Sequence, residues 1–332
     1  MNNFECNIPF PNGTYTPVCL DFLRFVRSLG QKFKGSDVYR LRDICLKMNK
    51  TANDIPVLHR DTAISIAQRR KDESQGTQLC RIRILRKLAE YMVSAGYDAY
   101  ILPKNFTQKY KYDFKPYIFS QEQIVDILKV ADQLSYHPCS PHTHLIIPTI
   151  LRVFFGCGLR LSEALLLKTR HVDLNDGILF IEKSKQNVSR YVPMSKSLTV
   201  YLRKYSGDMG FHRTNSTYFF PSPSGDPYND TTLRYRFKAI MSKARITCFD
   251  NGSLPRIHDA RHSFVVHSYA KLTGELGLDL YTALPIIAAY VGHTNIKDTE
   301  RYIHLPTFDY TSIIVAGLSV VDACVPEVIF SD

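Results

Sequence analysis

The sequence predicts a mainly α-helical protein with one small antiparallel β-sheet, an α+β chain in two domains. Three observations predict this. Apolar residues recur at helical spacing through most of the first hundred positions, one stretch reads as a β-hairpin, and a basic segment with two prolines divides the chain. At 332 residues the chain is long for one domain, and an apolar content of 45% is ample for a buried core in each of two.

In chain order, helical periodicity appears over residues 17–30, 37–48, 62–70 and 78–96. In the fourth run, Leu79, Ile82, Ile84, Leu85, Leu88, Tyr91 and Met92 fall largely on one side and Arg81, Arg83, Arg86 and Lys87 are read onto the other; Gly96 ends it. This gives a helical domain over residues 1–102. Residues 103–117 carry four lysines, including Lys109 and Lys111, and no helical periodicity, so they read as a basic linker. Ser120 with Gln123 forms a capping-box pattern ahead of an amphipathic run. Residues 177–195 read as two strands flanking Gln186-Asn187, and residues 232–246 and 260–272 as helices.

Net charge is +11 and unevenly placed: residues 1–117 hold 20 Lys+Arg against 11 Asp+Glu, whereas the remainder holds 22 against 20. A basic first third suits a polyanion such as DNA, although charge alone fits a solvated surface equally well. Eight cysteines stand at 6, 19, 45, 80, 139, 157, 248 and 324, without a CxxC pair or zinc-ligand spacing to histidine, so reduced thiols and no metal site are expected. No run approaches a membrane span, and the opening residues lack a basic-then-apolar leader, so the expected address is the cytoplasm.

Four pieces of the second domain belong together. They are Gly156 to Glu163, with Arg160 three residues before Glu163; Lys183-Ser184-Lys185 leading to Arg190-Tyr191-Val192-Pro193; His258-Asp259-Ala260-Arg261-His262; and Gly292-His293, with Thr299 and Tyr302 beyond. Taken singly, each has an ordinary explanation: a helix-end ion pair for Arg160 and Glu163, packed histidines, one tyrosine among twenty. Their order and spacing change that reading. The chain resembles the tyrosine recombinase family, which includes phage and mobile-element integrases, over about residues 118–305, and more weakly over the helical domain.

The resemblance implies a core-type DNA-binding domain at 1–102, the linker, a catalytic domain at 118–310 and a tail at 311–332 exchanged between subunits, the whole forming a C-shaped clamp around DNA; the apolar run of the tail by itself fits folding back on its own domain equally well. It implies DNA cleavage and rejoining through a 3′-phosphotyrosine at Tyr302, for integration or excision of a mobile element. Arg160 and Arg261 would hold the phosphate, Lys185 would protonate the leaving 5′-oxygen, His258 would assist proton removal and His293 would donate to the phosphate. Glu163 and His262 would support them. Lys185 is preferred to Lys183 because it stands five positions before Arg190. The residue types suit phosphoryl transfer without metal, ATP or any cofactor: a nucleophile, planar cations that hold two oxygens, and proton carriers. The implied partners are double-stranded DNA, three further copies of the chain in a tetramer on paired sites, and an accessory DNA-bending or directionality factor in the bacterial nucleoid. Arg81, Arg83, Arg86, Lys87, Lys109 and Lys111 are the expected phosphate contacts outside the catalytic domain. The alternatives are a type IB-like topoisomerase and a catalytically silent DNA-binding regulator. The segment between Arg261 and His293 is expected to contain an enlarged loop.

Overall fold

The computed structural model describes residues 8–31, 33, 35–51, 54–107, 116–182, 188–211, 217–246, 254–274, 276–293 and 295. The chain divides into two compact units, Met1–Asp113 and Phe114–Asp332. The described residues are mainly helical, with one small antiparallel sheet. Among the described residues no helix is long and apolar enough to cross a membrane.

Among the described residues the first unit packs four helices: α1 (Thr16–Ser28), α2 (Gly35–Asn49), α3 (Arg60–Ala67) and α4 (Gln75–Ser94). Their buried stripes interlock around Phe22, Leu41, Ile44, Ile66, Leu85, Leu88 and Met92. Each such side chain, fully buried, contributes about 1.5–3 kcal/mol relative to exposure. Ser74 caps α4 by accepting from the Thr77 N–H at 3.2 Å. Leu58 closes the unit by pairing with the chain after α4: its N–H donates to Asp98 O, and its carbonyl accepts from Tyr100 N–H.

The basic side of α4 needs correction. Arg81 is only 2% exposed. Its Nε donates to Ile66 O at 2.9 Å, its Nη2 donates to Gln68 O at 2.8 Å, and both terminal nitrogens bind the Glu73 carboxylate. Arg81 therefore caps the end of α3 and is not a phosphate contact. Arg86 is half-buried and donates to the carbonyls of Leu102 and Pro103, both at 2.9 Å, steering the chain out of the unit. Arg83 and Lys87 remain exposed. Lys109 and Lys111 lie outside the described residues.

Breaking a buried ion pair from one side costs about 3–5 kcal/mol, because the remaining charge is stranded. Arg81→Ala should cost that much in chemical denaturation, and Arg83→Ala no more than about 0.5 kcal/mol. Equal effects would return Arg81 to the surface.

The second unit is built on α6 (Thr143–Cys157), apolar on nearly all sides and hence central. Around it pack α5 (Gln121–Asp132), a short α7 (Leu161–Leu165), α8 (Lys196–Asp208) and α10 (Ile257–Gly274); α9 (Asp230–Lys243) lies against α5 and α11 (Leu280–Val291) against α10. The Ser120–Gln123 capping box forms at the start of α5. Three strands, β1 (Val172–Asp173), β2 (Ile178–Ile181) and β3 (Arg190–Pro193), pair antiparallel in sequence order, with Leu179 opposite Val192 and Ile181 opposite Arg190. Leu179 and Val192 point into the core, so Arg190, two residues from Val192, shares its inward face. Gln186-Asn187 lies outside the described residues. The expected enlarged loop after Arg261 is instead mostly helix, since α10 runs on to Gly274 and α11 begins at Leu280.

Candidate active site

Four separate elements deliver the residues singled out by the motifs. The turn between α6 and α7 supplies Arg160, α7 supplies Glu163, α10 supplies His258, Arg261 and His262, and the end of α11 supplies His293; β3 adds Arg190 beside them. Gly158 makes the turn possible. It stops α6 in the left-handed region at φ +57°, and a Cβ there would meet the Phe264 ring at 2.4 Å.

Glu163 is the centre of the cluster. Its carboxylate accepts from the Arg160 N–H at 3.0 Å and Arg160 Nη1 at 2.7 Å, and from Arg190 Nη1 and Nη2 at 3.0 and 2.9 Å. Arg261 Nη1 stands 4.0 Å from the same carboxylate. Burial alone would raise its pKa, but the Arg190 guanidinium, then Arg160, overcome this and hold the carboxyl at about 2. One anion thus orients three cations and leaves a positive excess, suited to an incoming phosphate.

Arg261 is 1% exposed and donates to Gly158 O at 2.7 Å and Val291 O at 2.6 Å. Arg160 donates to Gly292 O at 2.7 Å. The α6–α7 turn, α10 and the end of α11 are thereby tied through guanidinium groups. His258 and His262 meet edge to face with ring centres 4.7 Å apart. Burial, then neighbouring positive groups, pushes the imidazoles of His262 and His293 down to about 3, so both are uncharged near neutrality. A neutral imidazole still donates through one ring nitrogen and accepts through the other.

Arg190 and Asp259 were not singled out as site residues from sequence. Arg190 had a signal, inward alternation on its strand. Asp259 is fully buried and accepts from the Arg256 N–H at 2.6 Å, with His262 Nε2 at 4.0 Å from its carboxylate; no sequence pattern distinguished it. Lys183, Lys185, Thr299, Tyr302 and the tail 311–332 lie outside the described residues. Among the described residues no group of three His, Cys, Asp or Glu is placed to hold a metal ion.

The depressed histidines set the sign of a pH effect. Between about pH 6.5 and 3 the unfolded chain binds protons at His262 and His293 that the folded chain does not, and Glu163 adds the same effect from 4.5 to about 2. Stability should therefore fall as pH drops through this range. Thermal melts from pH 7 to 4 should decline more gently for His262→Asn than for the native chain; parallel curves would show that His262 does not contribute.

Comparison with known proteins matches residues 118–307 to the phage integrase family. An integrase/recombinase-class protein of Sinorhizobium fredii, y4rB, is 28% identical over 297 residues, covering 87% of this chain and 92% of that protein. The fold is similar to that of the XerH site-specific recombinase bound to palindromic difH substrate in a post-cleavage complex (TM-score 0.61, 18% identity, 83% of this chain and 76% of that one). It is also similar to the Tn1549 transposon integrase in complex with transposon right end DNA (TM-score 0.59, 16% identity, 90% of this chain and 98% of that one). With a family match over more than half its length, ending beyond the tyrosine that follows the arginine cluster, the chain belongs to the phage integrase family, the tyrosine-type site-specific DNA recombinases.

Proposed function

We propose that this enzyme joins Tyr302 to a 3′-phosphate of DNA and then releases it to a 5′-hydroxyl of another strand. The carrying observation is the convergence of Arg160 and Arg261 on Glu163 and on the end of α11, with His293 beside both guanidinium groups and nine residues before Tyr302. The Tyr302 hydroxyl loses its proton with help from His258, and its oxygen attacks phosphorus. The bond from phosphorus to the 5′-oxygen breaks, and Lys185 supplies the proton that the departing oxygen takes up. Each step reverses when a 5′-hydroxyl attacks the phosphotyrosine. Arg160 and Arg261 stabilise the charge that builds on the non-bridging oxygens. His293 donates to one of those oxygens; the phosphate charge opposes the cations that, after burial, keep this imidazole neutral.

The integrase and recombinase relatives, one of them a transposon integrase, support integration or excision of a mobile element as the biological reaction. Both units engage the duplex, and the working assembly is a tetramer on paired sites in the nucleoid, joined through the tail at 311–332 and aided by a DNA-bending or directionality factor. The test uses a pool of nicked duplexes of random sequence. Incubation in chelator, denaturation and recovery of protein-linked DNA should enrich one sequence family. Recovery of no linked DNA would overturn the reading, and linkage without sequence preference would favour topoisomerase action.

The first unit is proposed to grip phosphates with Arg83 and Lys87, from the exposed side of α4. Replacing both with alanine should flatten the log–log dependence of affinity on salt by roughly one to two units. An unchanged slope would leave that side an ordinary solvated surface.

A further inference from the structure

The last carbonyls of an α-helix have no intrahelical donor and carry the negative end of its dipole. At the end of α11 every one of them has a partner. Ala288 O accepts from the His293 N–H at 2.8 Å and Ala289 O from the Gly292 N–H at 3.1 Å. The next three carbonyls each take a different arginine: Tyr290 O accepts from Arg190 Nε at 2.8 Å, Val291 O from Arg261 Nη2 at 2.6 Å and Gly292 O from Arg160 Nη2 at 2.7 Å. The three arginines come from β3, α10 and the α6–α7 turn.

Arg160 and Arg261 are the pair assigned above to the phosphate. Arg190 differs from them. Its side chain is 8% exposed, and all three of its nitrogens are engaged, Nε on the helix end and both Nη atoms on Glu163. We propose that Arg190 is a positioning residue for strand transfer. It fixes the last turn of α11, from which the chain runs to Tyr302, and through Glu163 it sets the guanidinium of Arg160. The inference rests on the proposed reading of Tyr302 as the nucleophile.

The local backbone is shaped around this side chain. Gly292 sits at φ +69°, and a Cβ there would lie 2.8 Å from Arg190 Nη1 and 3.0 Å from its Cζ. A glycine at this point has two reasons, a left-handed turn and an arginine lying against its α-carbon. Lysine cannot replace Arg190, because a single ammonium cannot span a backbone carbonyl and both oxygens of a carboxylate.

The experiment uses the full chain and a nicked duplex of the sequence recovered in the adduct selection. Arg190→Gln should slow adduct formation at saturating DNA about 100-fold, the scale of a misplaced reacting group. Its DNA dissociation constant should stay within about threefold of the native value. Arg190→Lys should not restore the rate. Gly292→Ala, which displaces the guanidinium while keeping it, should show the same split between rate and affinity and keeps the question open to test if Arg190→Gln fails to fold. The double variant should be no slower than the slower single one, because both act through one contact. Native-like rates in folded Arg190→Gln, rescue by lysine, or parallel losses of binding and rate in Gly292→Ala would overturn the proposal. If Tyr302→Phe still forms the adduct, the underlying reading fails instead, whatever Arg190 does.

Discussion

Tyr302→Phe is expected to abolish the covalent protein–DNA adduct while duplex binding stays within about threefold of the native chain. The substitution removes one oxygen and keeps the ring, so the loss is specific to chemistry at the hydroxyl. The matched family region extends to residue 307 and therefore includes Tyr302. Competing tyrosines can be weighed against it. Tyr290, three residues before His293, stacks on Phe264 with ring centres 5.3 Å apart, and its hydroxyl donates to Pro193 O at 2.6 Å. Burial, with Cys157 beside it, pushes that hydroxyl well above the usual tyrosine range, so Tyr290 is a poor nucleophile. Tyr290→Phe should keep the adduct, separating the two tyrosines in one gel. An adduct surviving in Tyr302→Phe, and lost in another tyrosine variant, would transfer the nucleophile to that residue.

The helices were legible because burial imposes a period, and the same rule exposes where reading went wrong. Gln78, Arg81, Leu85, Leu88 and Met92 follow spacings of three and four and share one buried track of α4, so Arg81 was in register with the core from the start. Its charge suggests the solvent side, whereas Glu73 and two carbonyls satisfy the guanidinium in the interior. Arg190 carried a similar signal: it alternates with exposed Tyr191 and aligns with buried Val192. Its role was hidden because its partners, Glu163 and Tyr290, lie 27 and 100 residues away, and strand periodicity gives a face but not a partner. Arg160, His258, Arg261 and His293 were legible by another route, the ordered motifs. Periodicity alone would have left them as an ion pair and packed histidines. Asp259 was readable by neither, because a buried carboxylate held by the backbone N–H of Arg256 leaves no mark on composition or spacing.

Arg261→Lys is expected to lower the rate of adduct formation by roughly 100- to 1,000-fold, the usual loss when one preorganised donor to a developing oxyanion is removed. Lysine keeps the positive charge, so long-range attraction of DNA is retained and affinity should change far less than rate. What disappears is the planar fork. Arg261 places its two Nη atoms on Gly158 O and Val291 O, which fixes the guanidinium plane between the α6–α7 turn and the end of α11. A single ammonium can satisfy one of these carbonyls well but cannot hold both and also face a phosphate. The carbonyl left over is buried and unpaired, at a cost of about 1–3 kcal/mol. A lower melting temperature should therefore accompany the slower reaction. That dual loss separates Arg261 from Arg160, whose side chain is 16% exposed and whose partner Glu163 is still held by Arg190. Arg160→Lys should lose rate to a similar degree with a smaller change in melting temperature. Arg261→Lys that melts early yet cleaves at a native rate when folded would confine Arg261 to the scaffold and leave Arg160 as the phosphate clamp.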